Sequence, residues 1–368
     1  MHWSIQNQKN QYMAKSFQRA LLLCPGKYSL YNSLLAILSV LSEECKGYDV
    51  REDINNYDLK IHSQIYRFPY KIRNAWEKYF LQKVNRIILS EINMYNPDFI
   101  MVYNSEFLLP ETCLEIKKRA ILIFFMGDSP FYTSLNNFFL PCLNNADLIL
   151  SPDTFWLEQL NTIGIKNTFF FCPGIDKGSY NVLNYSNLIP SDTITDILYV
   201  GTCYVDSWGY KKALLMNQFI SFNFKLYGNS MWKRWFSFFP ELEEHYKESK
   251  YIPTQSLNKL YNNTKLIPVD GNPGIVFGFH FRLLEALGSG ALPLIEYRRD
   301  VEEKLFKGCY AKLPLLDDYT KASSMAEYYL KNESERKGIT EELRNHIEKN
   351  YNNEINAQRI LELLIRKE

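Results

Sequence analysis

The sequence has no Cys-x-x-Cys pair, no apolar run of transmembrane length and almost no surplus of charge. Each absence closes off a class of protein. The seven cysteines (Cys24, Cys45, Cys113, Cys142, Cys172, Cys203 and Cys309) are scattered, several of them inside apolar runs. Buried thiols in a reducing compartment fit that pattern, and a zinc site or disulfide framework does not. Charged residues and Asn interrupt the apolar stretches before the roughly 20 residues that a bilayer span needs. Met1 to Lys15 is polar and lacks a signal-peptide core, which predicts a cytoplasmic protein. Lys+Arg 42 against Asp+Glu 41 gives a formal charge of +1, which argues against a nucleic-acid partner. The dinucleotide fingerprint G-x-G-x-x-G is also missing.

What is present is length and an αβ rhythm. At 368 residues, 46% of them hydrophobic, the chain suits two domains. Apolar strands are expected at Arg19–Cys24, Tyr48–Arg51, Phe99–Tyr103, Ala120–Met126, Ala146–Leu150 and Lys166–Cys172. Helical stretches such as Ser29–Glu44 and Asn74–Tyr95 separate them. Residues 177–195 turn Gly-, Ser-, Tyr- and Asn-rich, and the rhythm restarts at Ile197–Val200. The expected division is 1–178, a linker at 179–195, a second domain at 196–350, and a last helix at 351–368 that could pack back on the first domain. The fold class is α/β, with mostly parallel sheets covered by helices on both faces.

The stretch Phe277 to Ile295 organises the second half. Leu283, Leu284 and Leu287 recur at helical spacing, Gly288 and Gly290 stop the helix, and Ala291–Ile295 reads as a buried strand. His280 and Arg282 are expected in the first helical turn, with Glu285 one turn on. A helix start favours an anion, and an arginine there can grip a phosphate. A glutamate one turn further can accept bonds from a ribose diol. The plainer reading is a core helix with an Arg282–Glu285 ion pair.

Other candidates lie at strand ends, where open α/β sheets bind ligands. Asp128, in Gly127-Asp128-Ser129-Pro130, can act as a base or grip a sugar hydroxyl, or can simply cap the next segment. Glu106 follows the Phe99–Tyr103 strand. Gly201-Thr202 ends a strand and leads to Lys211 and Lys212, a reasonable diphosphate cradle. Gly228 ends the next strand and is a candidate neighbour of a base. Met231–Phe239 mixes basic and aromatic residues. It reads as a packed helix, with contact to a membrane interface or a glycan as the alternative.

Taken together, Val200-Gly201-Thr202, Tyr227-Gly228 and Arg282-Leu-Leu-Glu285-Ala-Leu-Gly-Ser-Gly290 resemble GT-B glycosyltransferases. The closest resemblance is to the CgeB-like, spore-maturation type of the family-4-like group. Pro173-Gly-Ile-Asp176 and Asp128-Ser-Pro130 add to it. The resemblance spans roughly residues 95–310. It implies two Rossmann-like domains facing across a cleft, in a bacterial enzyme of polysaccharide biosynthesis. The donor would be a nucleotide-diphosphate sugar, bound by Gly201, Thr202, Lys211, Gly228, His280, Arg282 and Glu285. The acceptor would be a glycan, a lipid-linked intermediate or a protein, on the side of Glu106 and Asp128. Phe277 stands where family-4 enzymes often carry a second glutamate. With no Asp-x-Asp motif, no metal and no separate cofactor are expected. The alternatives are a nucleotide-sugar epimerase of the same fold, or a scaffold that has lost catalysis. The cytoplasmic location, with contact to the inner membrane face, is part of the same expectation.

Overall fold

The structure, a computed structural model, describes residues 16–28, 30–104, 107–132, 138–183 and 194–366. The chain forms two compact units. One holds Met1–Pro173 and Asn353–Glu368, the other Gly174–Asn352. The boundary therefore falls at Pro173, ahead of the expected 178. Residues 174–178, expected in the first domain, belong to the second unit, and so do 179–183 from the expected linker.

The first unit is built on β1 (Phe17–Leu23), β2 (Ser42–Tyr48), β3 (Phe99–Tyr103), β4 (Ile121–Phe125), β5 (Leu148–Ser151) and β6 (Thr168–Phe170). They form one parallel sheet in the order β2-β1-β3-β4-β5-β6. The second expected strand, Tyr48–Arg51, is displaced. The helix Leu30–Leu41 ends early, and Ser42–Tyr48 pairs with β1 instead. Its polar sequence hides it, because an edge strand has only one neighbour to satisfy. Strands β3 and β4 are apolar nearly throughout, as a sheet covered on both faces requires. The helix Thr154–Thr162 starts at Asp153, whose carboxylate accepts from the N–H of Phe155 at 2.8 Å. The helix Asn353–Ile365 returns to this unit and packs on Leu30–Leu41. There the buried Asn356 donates to the carbonyl of Cys172 at 3.0 Å.

The second unit is built on β7 (Thr195–Val200), β8 (Phe224–Gly228), β9 (Tyr246–Glu248), β10 (Thr264–Val269), β11 (Leu292–Glu296) and β12 (Leu315–Leu316). All pairs are again parallel, in the order β12-β11-β10-β7-β8-β9. The chain runs outward from β7 to one edge, then returns to β10 on the other side of β7. In such a sheet the crevice between the two diverging strands is where ligands bind. The first unit has its own switch, between β1 and β3.

Among the described residues no helix is long and apolar enough to cross a membrane, and no group of three or more His, Cys, Asp or Glu is placed to hold a metal ion. All seven cysteines are thiols.

One glycine is fixed by backbone geometry. Gly174 has φ +81°, and a Cβ there would lie 1.9 Å from the carbonyl oxygen of Tyr351. Gly174→Ala is expected to destabilise the second unit by about 2–3 kcal/mol. Urea denaturation followed by tryptophan fluorescence measures this, and a change under half of that would show that the backbone relaxes.

Candidate functional site

The β7/β10 switch holds a buried ionic cluster. Tyr199 precedes the end of β7, Lys212 lies on the helix Ser207–Asn217, Asp270 follows β10, and Arg282 opens the helix Arg282–Gly288. All four are at most 5% exposed. Asp270 is the hub. Its Oδ1 accepts from the Tyr199 hydroxyl at 2.8 Å and from Arg282 Nη1 at 3.1 Å, and its Oδ2 pairs with Lys212 Nζ. Lys212 also donates to the Tyr199 hydroxyl at 3.0 Å, and the Arg282 guanidinium lies 4.5 Å over the Tyr199 ring. Burial alone would raise the Asp270 pKa. The charges of Lys212 and Arg282, with the bonds from Lys212 and Tyr199, overcome it and hold the carboxyl below its ordinary range. Burial likewise opposes the Lys212 charge, and Asp270 outweighs it. The hub therefore carries two cations on one carboxylate.

A second hub lies one strand over, at the end of β11. Glu296 is buried. Its Oε1 pairs with Lys211, and its Oε2 accepts from the Gly271 N–H at 2.8 Å and lies 3.1 Å from Arg298 Nη2. The Tyr319 phenol is held protonated, first by burial and then by the Glu296 charge. Lys211 also sits 4.8 Å over the Trp208 ring. Each hub thus gathers a lysine, an arginine and a tyrosine around one carboxylate. The two lysines are consecutive on one helix.

The expected donor residues converge here, with changes of role. Gly201 lies against Arg282, since a Cβ on it would be 2.6 Å from Arg282 Nη2. Its N–H was expected to hold a phosphate, but it donates to the Tyr227 carbonyl at 3.0 Å as part of the sheet ladder. Thr202, the next residue, is exposed. Lys211 was expected at the diphosphate, yet Lys212 enters the first hub and Lys211 serves the second. Gly228 is buried, and its glycine answers a packing need. A Cβ would meet Trp232 Nε1 at 2.3 Å and the Gly201 carbonyl at 2.4 Å. The segment Met231–Phe239 packs on its own unit through Trp232, Trp235 and Phe236 and leaves Met231 and Phe238 exposed. Trp232 and Trp235 are buried and donate to the carbonyls of Gly201 and Tyr204, both at 2.9 Å.

The helix itself starts later than expected. It spans Arg282–Gly288, so His280 lies before it. His280 Nδ1 accepts the Arg282 N–H at 3.0 Å. Nδ1 is therefore unprotonated, which leaves the ring proton on Nε2. Burial, then the charges of Arg282 and Lys212, keep the imidazole neutral against the opposing pull of Asp270. The helix start is not an open anion site, because the Arg282 side chain is turned inward to Asp270. Glu285 is half-buried and accepts from the Tyr180 hydroxyl, whose pKa rises through burial and then through the Glu285 charge. Gly288 admits the Ile175–Tyr180 segment: a Cβ would lie 2.8 Å from Ile175 Cγ2.

In the first unit, Asp128 is exposed at the end of β4. Asn104 clamps it. Asn104 Nδ2 donates to Asp128 Oδ2 at 2.7 Å, and Asn104 Oδ1 accepts from the N–H groups of Gly127 and Asp128 at 2.8 and 3.3 Å. Asn104 does this from φ +42°, a left-handed conformation that asparagine tolerates. Glu106 lies outside the described residues.

Residues 211–362 match the sequence family described as Glycosyl transferase-like. No curated protein matches the sequence. Among solved structures, the E. coli trehalose-6-phosphate protein bound with UDP-2-fluoro glucose is similar with TM-score 0.64 and 13% identity, over 94% of this chain and 99% of that one. Sucrose-phosphate synthase from Thermosynechococcus elongatus is similar with TM-score 0.63 and 12% identity, over 95% and 99%. A protein assigned as a UDP-N-acetylglucosamine 2-epimerase from Listeria monocytogenes is similar with TM-score 0.55 and 14% identity, over 95% of each chain. The fold is GT-B, and the match to the glycosyl transferase-like family falls in its second unit and extends into the returning helix.

Two measurements probe the first hub. Asp270→Asn strands two buried cations and is expected to cost about 3–5 kcal/mol, whereas Lys212→Met leaves Asp270 paired with Arg282 and costs less. Equal losses in urea denaturation would contradict the hub. His280 supplies a pH signature. Its pKa is lower folded than unfolded, so the unfolded chain binds the extra proton and stability falls as pH drops through about 6.5. Between pH 7.5 and 5.5 the wild type is expected to lose more stability than His280→Asn, and parallel curves would show a protonated ring.

Proposed function

We propose that the protein is a metal-independent glycosyltransferase. It moves a sugar from a nucleotide-diphosphate sugar to an acceptor hydroxyl. One observation carries the reading: within the segment that matches the Glycosyl transferase-like family, two cations surround one carboxylate at the sheet's switch point. That surplus of positive charge, buried beneath the strand ends, suits a diphosphate that gains charge as it leaves. Lys212 and Arg282 supply the field, and Asp270 and Tyr199 hold them rigid. His280 offers its Nε2–H as a neutral donor. Glu285 accepts from a ribose hydroxyl beside its bond to Tyr180. The uridine nucleotide in the structure similar to this one supports UDP as the carrier.

In the reaction the acceptor oxygen forms a bond to the anomeric carbon as the bond from that carbon to the phosphate oxygen breaks. The acceptor proton passes to a base. We assign that role to Asp128, held in place by Asn104. The acceptor is a glycan, a lipid-linked intermediate or a protein. The Arg282–Gly290 and Asp128–Pro130 segments support a place in the CgeB-like group. The similarity to the assigned epimerase favours a second reading, in which the donor sugar is inverted with no acceptor involved.

A panel of UDP-, GDP-, ADP-, CMP- and dTDP-sugars tests both. One of them is expected to raise the melting midpoint of the wild type but not of Glu285→Ala, since a ligand specific to the folded state stabilises it by mass action. Asp128→Asn is expected to lower kcat by about 10²–10⁴ with the donor shift intact. Donor turnover without acceptor would give the epimerase. A chain that neither binds nor turns over any nucleotide sugar would refute the assignment.

A further inference from the structure

Met231–Phe239 buries Trp232, Trp235 and Phe236 and leaves Phe238 as its one strongly exposed ring, whereas Tyr57–Tyr79 of the first unit exposes most of its rings. It comprises the helix Asn56–Gln64, a turn through Ile65–Arg67 and Phe68–Pro69, and the start of the helix Tyr70–Tyr95. Tyr57 is 69% exposed, Tyr70 72%, and Tyr66, Phe68 and Ile72 53% each. Basic residues alternate with them. Asp58 and Glu77 are consumed by Lys83 and Arg73, at 2.8 and 2.7 Å. Lys60, Arg67, Lys71 and Lys78 are exposed and have no carboxylate partner among the described residues. Arg67 instead follows its aromatic neighbour, donating to the Tyr66 hydroxyl at 3.1 Å. Beneath this layer the fold is firm: His62 stacks on Phe80 at 4.1 Å, and Trp76 lies 6.1 Å from the same ring.

Tyr66, Phe68, Tyr70 and Ile72 are exposed together around one turn, and clustered exposed apolar side chains, unlike scattered ones, mark an interaction site. A protein partner fits poorly, because interface cores are depleted in lysine and here lysines flank the rings. Tyrosines with polar tips, among long basic side chains that keep their charges outward, match the headgroup layer of a bilayer. The unpaired cations give that layer its sign. We propose that Tyr57–Tyr79 docks the protein on an anionic lipid surface, with Phe68, Tyr70 and Ile72 entering the interface and Arg67 and Lys71 meeting the headgroups. The proposal does not rest on the nucleotide-sugar reading.

Vesicle flotation of the full chain tests it, with phosphatidylcholine alone against a mixture containing about 30% phosphatidylglycerol, at low and high salt. Partition onto the anionic vesicles is expected to exceed that onto the neutral ones at least tenfold and to fall with salt. Arg67→Glu with Lys71→Glu replaces two cations by two anions, and loss of each cation alone is worth roughly fivefold near a charged leaflet. That pair, and separately Phe68→Ser with Tyr70→Ser, should each lower partition by about tenfold or more. Because these side chains are exposed, the melting midpoint should stay unchanged, which separates lost docking from lost folding. Absence of binding to anionic vesicles, or wild-type binding by both variants, would overturn the proposal. So would a dimer in sedimentation that Phe68→Ser with Tyr70→Ser dissolves, since the patch would then face a second copy of the chain.

Discussion

Asp270 is a carboxylate held between two buried cations, and the second unit is arranged around that fact. A lysine and an arginine at most 5% exposed would be strongly unfavourable alone. They persist because the order of the sheet puts β10 beside β7, so the carboxylate after one strand meets the tyrosine of the other. Lys212 arrives on the helix that follows β7, and Arg282 arrives through the loop that follows β10. Topology, not local sequence, closes the cluster. The hydrogen bonds around Asp270 leave each charge little freedom, and such rigidity is what a site needs if it is to respond to a leaving diphosphate without reorganising.

The second hub shows how economically the same logic repeats. Lys211 and Lys212 are adjacent in sequence, so on a helix they point about 100° apart. One reaches Asp270 after β10 and the other Glu296 on β11. The Gly271 N–H, next to Asp270, donates to Glu296 and ties the hubs together. A change in either carboxylate is therefore felt at both strand ends. The packing of Gly201, Gly228 and Trp232 closes the neighbouring β7 and β8 ends in the same manner, with backbone carbonyls accepting indole N–H groups.

Periodicity made the framework legible. Apolar runs in a sheet covered on both faces are hard to miss, and β3, β4, β7 and β10 fall where the apolar residues do. Edge strands were harder: Ser42–Tyr48 carries too little apolar sequence to announce itself. In the site, Arg282 and Gly201 were identifiable, but their partners were not. The signal for Asp270 was present and is close to that for Asp128: a carboxylate within three residues of a buried strand's end and beside a glycine. What no sequence shows is which strand lies beside which, and hence that Tyr199, Lys212 and Asp270 meet. The choice between Lys211 and Lys212 was likewise a matter of helix phase. His280 needed the helix boundary to be known within two residues, a finer resolution than sequence signals give.

Aromatic content is a similar case, and it separates composition from placement. Met231–Phe239 and Tyr57–Tyr79 both mix rings with basic residues, and the sequence singled out only the first. Trp232 and Trp235 carry a donor on the ring, and that N–H is satisfied by strand-end carbonyls inside the unit. The second segment spreads its rings over a turn that ends in Pro69, where helical periodicity is broken and no apolar stripe forms. The rings there lie outward, next to cations that no carboxylate among the described residues neutralises. Composition alone therefore does not decide burial: the same kinds of ring are packed in one unit and exposed in the other.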